Sequence, residues 1–297
     1  MKIGTAELDS TFFTQGKALA AVLEQAGAGN AIEVVLSSAA SIENARNIGS
    51  GKIDYGFMAA NWIGLASRGT APFDAPVDLR MVAPMNLGPM FFIVRRETAI
   101  QTVADLRGKR VCVGPAGSGV EQHVRTIFGA LGMTFKDFIP LHLDFATGAE
   151  ALANGGVDAQ LQCPIPNKVI NALDASVDLR VLPYAPGDLE KVLEKNSVYR
   201  RATMRRGALR ALDTDVQQAG VVNVLVTSAR QPAAEVAAVV RAIVAGADQL
   251  ARRDPLFTGI ADLWQPLKVQ GAQALMFEGV GLHEGALAGY RSAAVAA

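Results

Sequence analysis

Residues 105–121 read DLRGKRVCVGPAGSGVE, which joins a short apolar strand to a helix start through several glycines and one serine. Arg110 to Val113 is a β-branched run bounded by turn residues, and apolar side chains recur at helical spacing from Val120 to Leu131. Ser118 stands at the expected N-cap, and Glu121 completes a capping-box pattern. Because the first N–H groups of a helix lack partners within it, the loop predicts a site for a carboxylate or phosphate. The candidate contacts are Ala116, Gly117, Ser118, Gly119 and Val120.

Three other glycine-loop motifs are excluded by the residues of this loop. A P-loop would need Lys-Ser or Lys-Thr after the last glycine, where Val120 and Glu121 stand. The glycines read G-x-x-G-x-G rather than the G-x-G-x-x-G of dinucleotide sites. A nucleophile elbow would place glycines where Ala116 and Val120 flank the serine. The alternative is that the loop only caps the helix and binds no ligand.

Length and composition favour a protein of about two domains with a large core. The chain has 297 residues, of which 50% are hydrophobic, and 28 basic residues balance 28 acidic ones. This balance gives no basic footprint for nucleic acid. No apolar run approaches the roughly 18 residues that a spanning helix needs, so we expect no membrane insertion. The chain starts on a strand at Lys2, so we expect a leader to be absent or already removed.

Cysteines and histidines predict neither a metal site nor a cofactor. We expect Cys112 to be a core residue of a strand and Cys163 to lie in a loop before Pro164. The histidines lack the spacing of zinc ligands. We expect His123 on the first turns of the helix after the glycine loop, solvated or capping. No catalytic residue is predicted.

The order of elements repeats in the two halves of the chain. A strand ending at Gly4 is followed by a helix start near Ser10, as the strand ending at Gly114 is followed by Ser118. Further on, each half shows helix, glycine turn, aspartate and strand, with Asp54 and Asp158 in matching places. The repeat predicts two lobes of one plan.

The predicted fold is α/β, with two lobes that each contain a mainly parallel sheet flanked by helices. Residues 1–86 and 224–297 are assigned to lobe I and 87–223 to lobe II, with a ligand cleft between them and two strand hinges. A last long helix is expected over Pro232 to Arg252. The best strand candidates are Ile32 to Leu36, Gly56 to Ala60, Met90 to Val94, Val111 to Val113, Ala159 to Gln162 and Val221 to Val226.

The chain resembles the TAXI solute receptors, which are extracytoplasmic binding subunits of a branch of TRAP transporters. The resemblance runs from Ile3 to about Tyr290. Its most specific segments are Ser38 to Asn44 with Gly51 to Asp54, Asp105 to Val111 with Gly114 to Glu121, and Gly220 to Val226.

This resemblance implies a two-lobed periplasmic binding protein type II fold. It also implies a periplasmic, monomeric receptor that closes on a small organic acid and delivers it to the TRAP permease subunits. The family binds amino acids or dicarboxylates, whereas Phe12, Trp62 and Met90 here favour a more apolar pocket and an aromatic or longer-chain acid. An ABC importer subunit and a decarboxylase-like enzyme on the same fold remain alternatives.

Helix starts near Ser10 and Thr11, at Ser41 and at Ser118 are expected to converge on the ligand carboxylate. Polar side chains near strand ends complete the predicted site, because α/β folds bind ligands beyond the carboxyl ends of their strands. Besides the glycine loop, the candidates are Asp9, Ser10, Thr11, Phe12, Ser38, Ser41, Asn61, Trp62, Asn86, Gln162 and Cys163.

Overall fold

Each half of the predicted repeat forms three parallel strands joined by helices. The computed structural model describes residues 1–8 and 10–296. The chain divides into a first unit, Met1–Leu87 with Val222–Ala297, and a second unit, Gly88–Val221. The cleft between lobes and the predicted lobe boundaries stay predictions.

The strands alternate with helices along most of the chain. The strands are β1 Lys2–Gly4, β2 Glu33–Val35, β3 Tyr55–Ala59, β4 Leu79–Arg95, β5 Arg110–Cys112, β6 Ile139–Leu141, β7 Ala159–Gln162, β8 Leu179–Val181, β9 Tyr199–Met204 and β10 Val216–Ser228. The helices are α1 Thr11–Gln25, α2 Ala40–Gly49, α3 Ile63–Arg68, α4 Gly119–Ala130, α5 Phe145–Ala153, α6 Lys168–Ser176, α7 Asp188–Lys195, α8 Ala233–Ala245, α9 Ala247–Arg253, α10 Leu267–Gln270 and α11 Glu284–Ser292.

In the first unit, β1 lies between β2 and β3 and is parallel to both. In the second unit, β5 lies between β6 and β7 and is again parallel to both. Parallel neighbours need a crossover, and α1, α2, α4 and α5 supply these crossovers in matching order. The carboxyl ends of the three strands in each unit therefore lie at one edge of its sheet.

The matching aspartates of the repeat hold each parallel set in register. Asp54, just before β3, accepts a hydrogen bond from the N–H of Lys2 at 2.7 Å. Asp158, just before β7, accepts from the N–H of Arg110 at 2.8 Å and from its guanidinium at 2.7 Å. Both carboxylates thus join the start of the third strand to the start of the first.

The predicted α/β fold is confirmed, with sheets that are mixed. β10 runs antiparallel to β3 over residues 223–227, and β4 runs antiparallel to β7 over residues 91–94. β8 pairs antiparallel with β4 and β9 with β10. The two strands that cross the boundary between the units therefore provide the antiparallel part.

Helices cover both faces of each sheet. In β3, Tyr55 and Phe57 enter a hydrophobic cluster that is shared with α1, α8 and α11, whereas Met58 enters the cluster beneath α2 and α3. In β4, Phe91 packs toward α5 and α6, whereas Phe92 stacks on Phe128 of α4 with ring centroids 5.2 Å apart.

Two predicted elements have different bounds in the structure. β4 begins at Leu79 rather than Met90, because Pro84 and Pro89 interrupt the apolar pattern without ending the strand. The predicted helix from Pro232 to Arg252 is two helices, α8 and α9, with Gly246 between them. A Cβ at Gly246 would collide with Val22 of α1, so the break accompanies close packing of α1. Within the described residues, no helix is both long and apolar enough to cross a bilayer.

We predict that Asp158→Ala lowers the free energy of unfolding by about 1–3 kcal/mol, because it removes the acceptor of the Arg110 N–H and guanidinium. Urea unfolding followed by circular dichroism measures the change. Asp213→Ala is the control, since this carboxylate is 81% exposed and lies 3.9 Å from Arg96; its effect should stay within about 0.5 kcal/mol. Equal stability of Asp158→Ala and wild type would contradict the role given to Asp158.

Candidate functional site

The predicted glycine loop lies at the carboxyl-end edge of the second unit, between β5 and α4. Ser118 is the N-cap of α4, as predicted, and its Oγ accepts from the N–H of Glu121 at 3.2 Å. Its own hydroxyl hydrogen is not used in that bond. Gly114 has φ of +82°, and a Cβ there would lie 2.6 Å from Cβ of Val120, so the turn requires glycine.

The partner of Glu121 differs from the capping-box expectation. The carboxylate accepts from the N–H of Gly117 at 2.6 Å and pairs with Arg125, whereas the N–H of Ser118 donates to the carbonyl of Pro115 at 3.0 Å. Burial opposes ionisation of Glu121, but the bonds from Gly117 and Arg125 outweigh it and lower its pKa. The chain's own carboxylate therefore occupies the N–H of Gly117, which precedes the first turn of α4.

A glutamate also fills the loop before α2 in the first unit. Glu43 accepts from the N–H of Ser38 at 2.9 Å and from the N–H of Ala39 at 3.3 Å. Ser41 was expected to start this helix, but the N-cap is Ala39, and the buried Ser41 hydroxyl accepts from the N–H of Ala59 instead. Ser41 thus joins α2 to the end of β3.

The start of α1 carries no acidic residue in its first turn. Its N-cap Ser10 accepts from the N–H of Phe13 at 3.3 Å, and Thr11 is the first helical residue. Asp9 lies outside the described residues. Unlike α2 and α4, α1 therefore has no carboxylate in its first turn.

The predicted apolar residues belong to two different clusters of the first unit and to the second unit. Phe12 is 8% exposed and packs on Phe57, with ring centroids 5.7 Å apart, whereas Trp62 is 9% exposed and belongs to the cluster beneath α2 and α3. Met90 is buried in the second unit. An apolar pocket formed by all three stays a prediction.

Two exposed leucines, which the sequence reasoning did not single out, lie at the carboxyl-end edge of the first unit. Leu8 is 66% exposed after β1, and Leu36 is 49% exposed after β2. The N–H of Ser37 donates to the carbonyl of Ala6 at 3.4 Å, so the two loops are neighbours. Asn61 and Trp62 follow β3 at the same edge.

Asn86 belongs to a buried trio of amides in the first unit. Its Oδ1 accepts from Nε2 of Gln15 at 3.0 Å and from Nδ2 of Asn223 at 3.2 Å. Asn223 is paired in register with Ala59, the last residue of β3. The trio therefore lies near the edge that carries Asn61, and Gln15 and Asn223 are additions to the predicted candidates.

Gln162 is the last residue of β7, at the carboxyl-end edge of the second unit, and Cys163 follows it. Gln162 is fully buried, and burial of the Cys163 sulfur raises the pKa of its thiol to about 12. Cys163 is a free thiol, as is Cys112, which lies in the core as predicted. Because its thiol stays protonated, Cys163 offers a weak donor rather than a nucleophile.

His123 is buried, so its predicted solvated position is wrong. It lies on α4 as expected, but Nδ1 is 2.8 Å from the hydroxyl of Tyr199 in β9. Burial lowers the pKa of His123 to about 4. The imidazole is therefore neutral at physiological pH and fixes the position of the Tyr199 phenol.

Local sequence signals could not reveal this arrangement, since His123 and Tyr199 are 76 residues apart. In the described part of the chain, no group of His, Cys, Asp and Glu has the arrangement of a metal site. A cavity of about 600 Å³ in the second unit is lined by Arg180, Glu190 and Arg201 among others, and no predicted site residue lines it.

We predict that the free energy of unfolding falls as pH drops from 6.5 toward 4, because the unfolded chain protonates His123 while the folded chain does not. The contribution is on the order of 1 kcal/mol per pH unit in that window. His123→Gln should lose this part of the pH dependence, and the exposed His142→Gln should keep it. Identical pH profiles for His123→Gln and wild type would contradict burial of a neutral His123.

Comparisons with known proteins give the fold and the family. The chain matches the TctC solute binding protein from Polaromonas with a TM-score of 0.57 and 15% identity, covering 88% of this chain and 86% of that one. It matches the aliphatic sulphonate binding protein SsuA from Escherichia coli with a TM-score of 0.52 and 19% identity, covering 88% and 82%. The BvgS VFT2 domain from Bordetella pertussis matches with a TM-score of 0.52 and 14% identity, covering 87% and 91%.

At these identities the likeness shows the fold alone, which is that of periplasmic binding proteins. The family comparison extends over almost the whole chain, since residues 3–293 match the NMT1-like family. The chain therefore belongs to the NMT1-like family.

Proposed function

We propose that this chain is an extracytoplasmic solute-binding receptor that captures a small organic carboxylate and delivers it to a TRAP-type secondary transporter. The observation that carries the proposal is the match to the NMT1-like family over residues 3–293, in a chain with the fold of periplasmic binding proteins. The candidate ligands are an amino acid, a dicarboxylate, or an aromatic or apolar acid.

Each unit carries groups that can contact a ligand at its carboxyl-end edge. The second unit offers the Ser118 hydroxyl and the buried Gln162 beyond the carboxyl ends of its strands. The first unit offers the amide trio around Asn86 and the exposed side chains of Leu8 and Leu36. Hydroxyl and amide groups can donate hydrogen bonds to the oxygens of an organic acid.

The pKa values of His123 and Cys163 support binding rather than catalysis by these two groups. His123 stays neutral down to about pH 4 and is hydrogen bonded to Tyr199. Burial raises the pKa of the Cys163 thiol to about 12. Neither group has a pKa near neutrality, which efficient general acid–base catalysis requires.

Transport assays test the function and the transporter type together. A large multi-span permease is first sought among the neighbouring genes and reconstituted in proteoliposomes. Uptake of labelled glutamate, succinate and phenylacetate is then measured with and without this protein. Uptake should need this protein and a sodium gradient, and it should not need ATP. Uptake that requires ATP would instead support an ABC importer, and conversion of an acid into a product would support an enzyme.

Ser118→Ala tests the glycine loop as part of the site. Loss of one hydrogen bond to a charged group costs about 1.5–3 kcal/mol, so the dissociation constant of the bound acid should rise about tenfold or more in calorimetric titration. Loss of the cap should lower the free energy of unfolding by about 1 kcal/mol as well.

Thr102→Ala is the matched control, because Thr102 caps the short helical turn before β5, at the opposite edge of the second unit. It should lower stability to a similar degree while the dissociation constant stays unchanged. An unchanged dissociation constant in Ser118→Ala would remove Ser118 from the site without touching the proposed function.

A further inference from the structure

A cavity of about 600 Å³ lies within the second unit, beside β8 and the segment that leads into β10. Cavities of about 300–1,000 Å³ hold small organic ligands in proteins. Val181, Leu189 and Leu212 line this cavity and are buried, so part of its wall is apolar. The cavity can therefore receive the apolar body of a small molecule.

The cavity is separate from the glycine loop. In β4, Ile93 pairs with Gln160 of β7 and with Val181 of β8, so β4 lies between those two strands. The strand β5, which leads into the glycine loop, lies on the far side of β7. Three strand spacings, about 14 Å in total, thus separate β8 from β5.

Arg180 of β8 lines the cavity with a guanidinium that is held at one corner. Its Nη1 donates to the carbonyl of Thr98 at 3.2 Å and to the carbonyl of Ile100 at 2.8 Å. Among the described residues, its Nε and Nη2 have no hydrogen-bond acceptor. The two carbonyl bonds therefore orient the group and leave one of its edges available.

The other charged groups of the lining are already paired. Each lining carboxylate forms an ion pair with an arginine; the pairs are Glu190 with Arg201, Asp215 with Arg205, and Asp213 with Arg96. No such ion pair involves Arg180 within the described part of the chain. The charge that the cavity offers to a ligand is therefore the positive charge of Arg180.

The available edge of Arg180 suits a carboxylate. Nε and Nη2 carry parallel N–H groups in one plane, and a carboxylate can accept from both at once. A guanidinium that is already oriented loses less conformational freedom when it binds than a flexible cation does. Together with the apolar wall, this edge fits an organic acid that has an apolar body.

We propose that this cavity is a second binding site, in which Nε and Nη2 of Arg180 hold the carboxylate of an organic acid. Val181, Leu189 and Leu212 contact the apolar body of that acid. The site goes beyond the proposed function, because it contains neither Ser118 nor Gln162 and requires no permease.

Hydrogen–deuterium exchange of the full chain tests this site, because it reports where a ligand slows exchange. Phenylacetate should slow exchange in residues 183–187 and 211–217, which line the cavity. In Arg180→Gln, the phenylacetate concentration for half-maximal protection should rise about tenfold or more, since two hydrogen bonds to a charged group are lost. Phenylacetamide, which has the same ring without the charge, should likewise need about tenfold more.

Arg210→Gln is the matched control. Nη1 of Arg210 also donates to two carbonyls, those of Asp174 at 3.0 Å and Ala175 at 2.7 Å, but Arg210 does not line the cavity. Both glutamine variants should melt at a lower temperature than wild type, whereas protection by phenylacetate should weaken only in Arg180→Gln. Ser118→Ala should keep the protection of wild type.

Arg180→Lys serves if Arg180→Gln does not fold, because lysine keeps the charge and loses the planar pair of donors. It should bind phenylacetate more weakly than wild type. Three results would overturn the inference: no protection by phenylacetate, equal protection by phenylacetamide, or equal weakening in the Arg180 and Arg210 variants. Each would leave uptake by the transporter unaffected, so failure of this site is distinguishable from failure of the proposed function.

Discussion

An aspartate before the third parallel strand fixes the sheet of each unit. Asp54 joins β3 to the start of β1 through the Lys2 N–H, and Asp158 joins β7 to the start of β5 through Arg110. Parallel strands cannot be set in register by a tight turn, because a helix must intervene. These side-chain hydrogen bonds fix the strand register at the edge where the parallel strands begin. The opposite edge, where strands end and helices begin, is then free to carry polar groups.

The carboxylates of Glu43 and Glu121 affect the binding of an anion at that edge. A helix N-terminus attracts negative charge, and in α2 and α4 this role is taken by Glu43 and Glu121, which lie in the same chain. These carboxylates accept from the N–H groups of Ser38, Ala39 and Gly117, which precede the first turns of α2 and α4. By contrast, the buried hydroxyl of Tyr184 and Nε2 of Gln162 have no acceptor among the described residues.

Local sequence signals predicted the repeat, most strands and the cap at Ser118, because each depends on neighbouring residues. They failed where contacts between distant segments of the chain determine the structure. The strand expected from Met90 to Val94 is longer in the structure, where β4 begins at Leu79 and passes through Pro84 and Pro89. Glu121 was recognised as a capping residue, yet its partner is the N–H of Gly117. His123 lies on α4 and Tyr199 on β9, so only the tertiary fold brings them together.

Native mass spectrometry of the protein purified from its own host, without added ligand, tests most directly whether it is a receptor for a small organic acid. The account predicts a bound species that leaves on unfolding and whose fragments identify an organic carboxylate. The same species should be depleted in Ser118→Ala and retained in Thr102→Ala. A spectrum that shows only the bare chain, before and after incubation with glutamate, succinate and phenylacetate, would contradict the account.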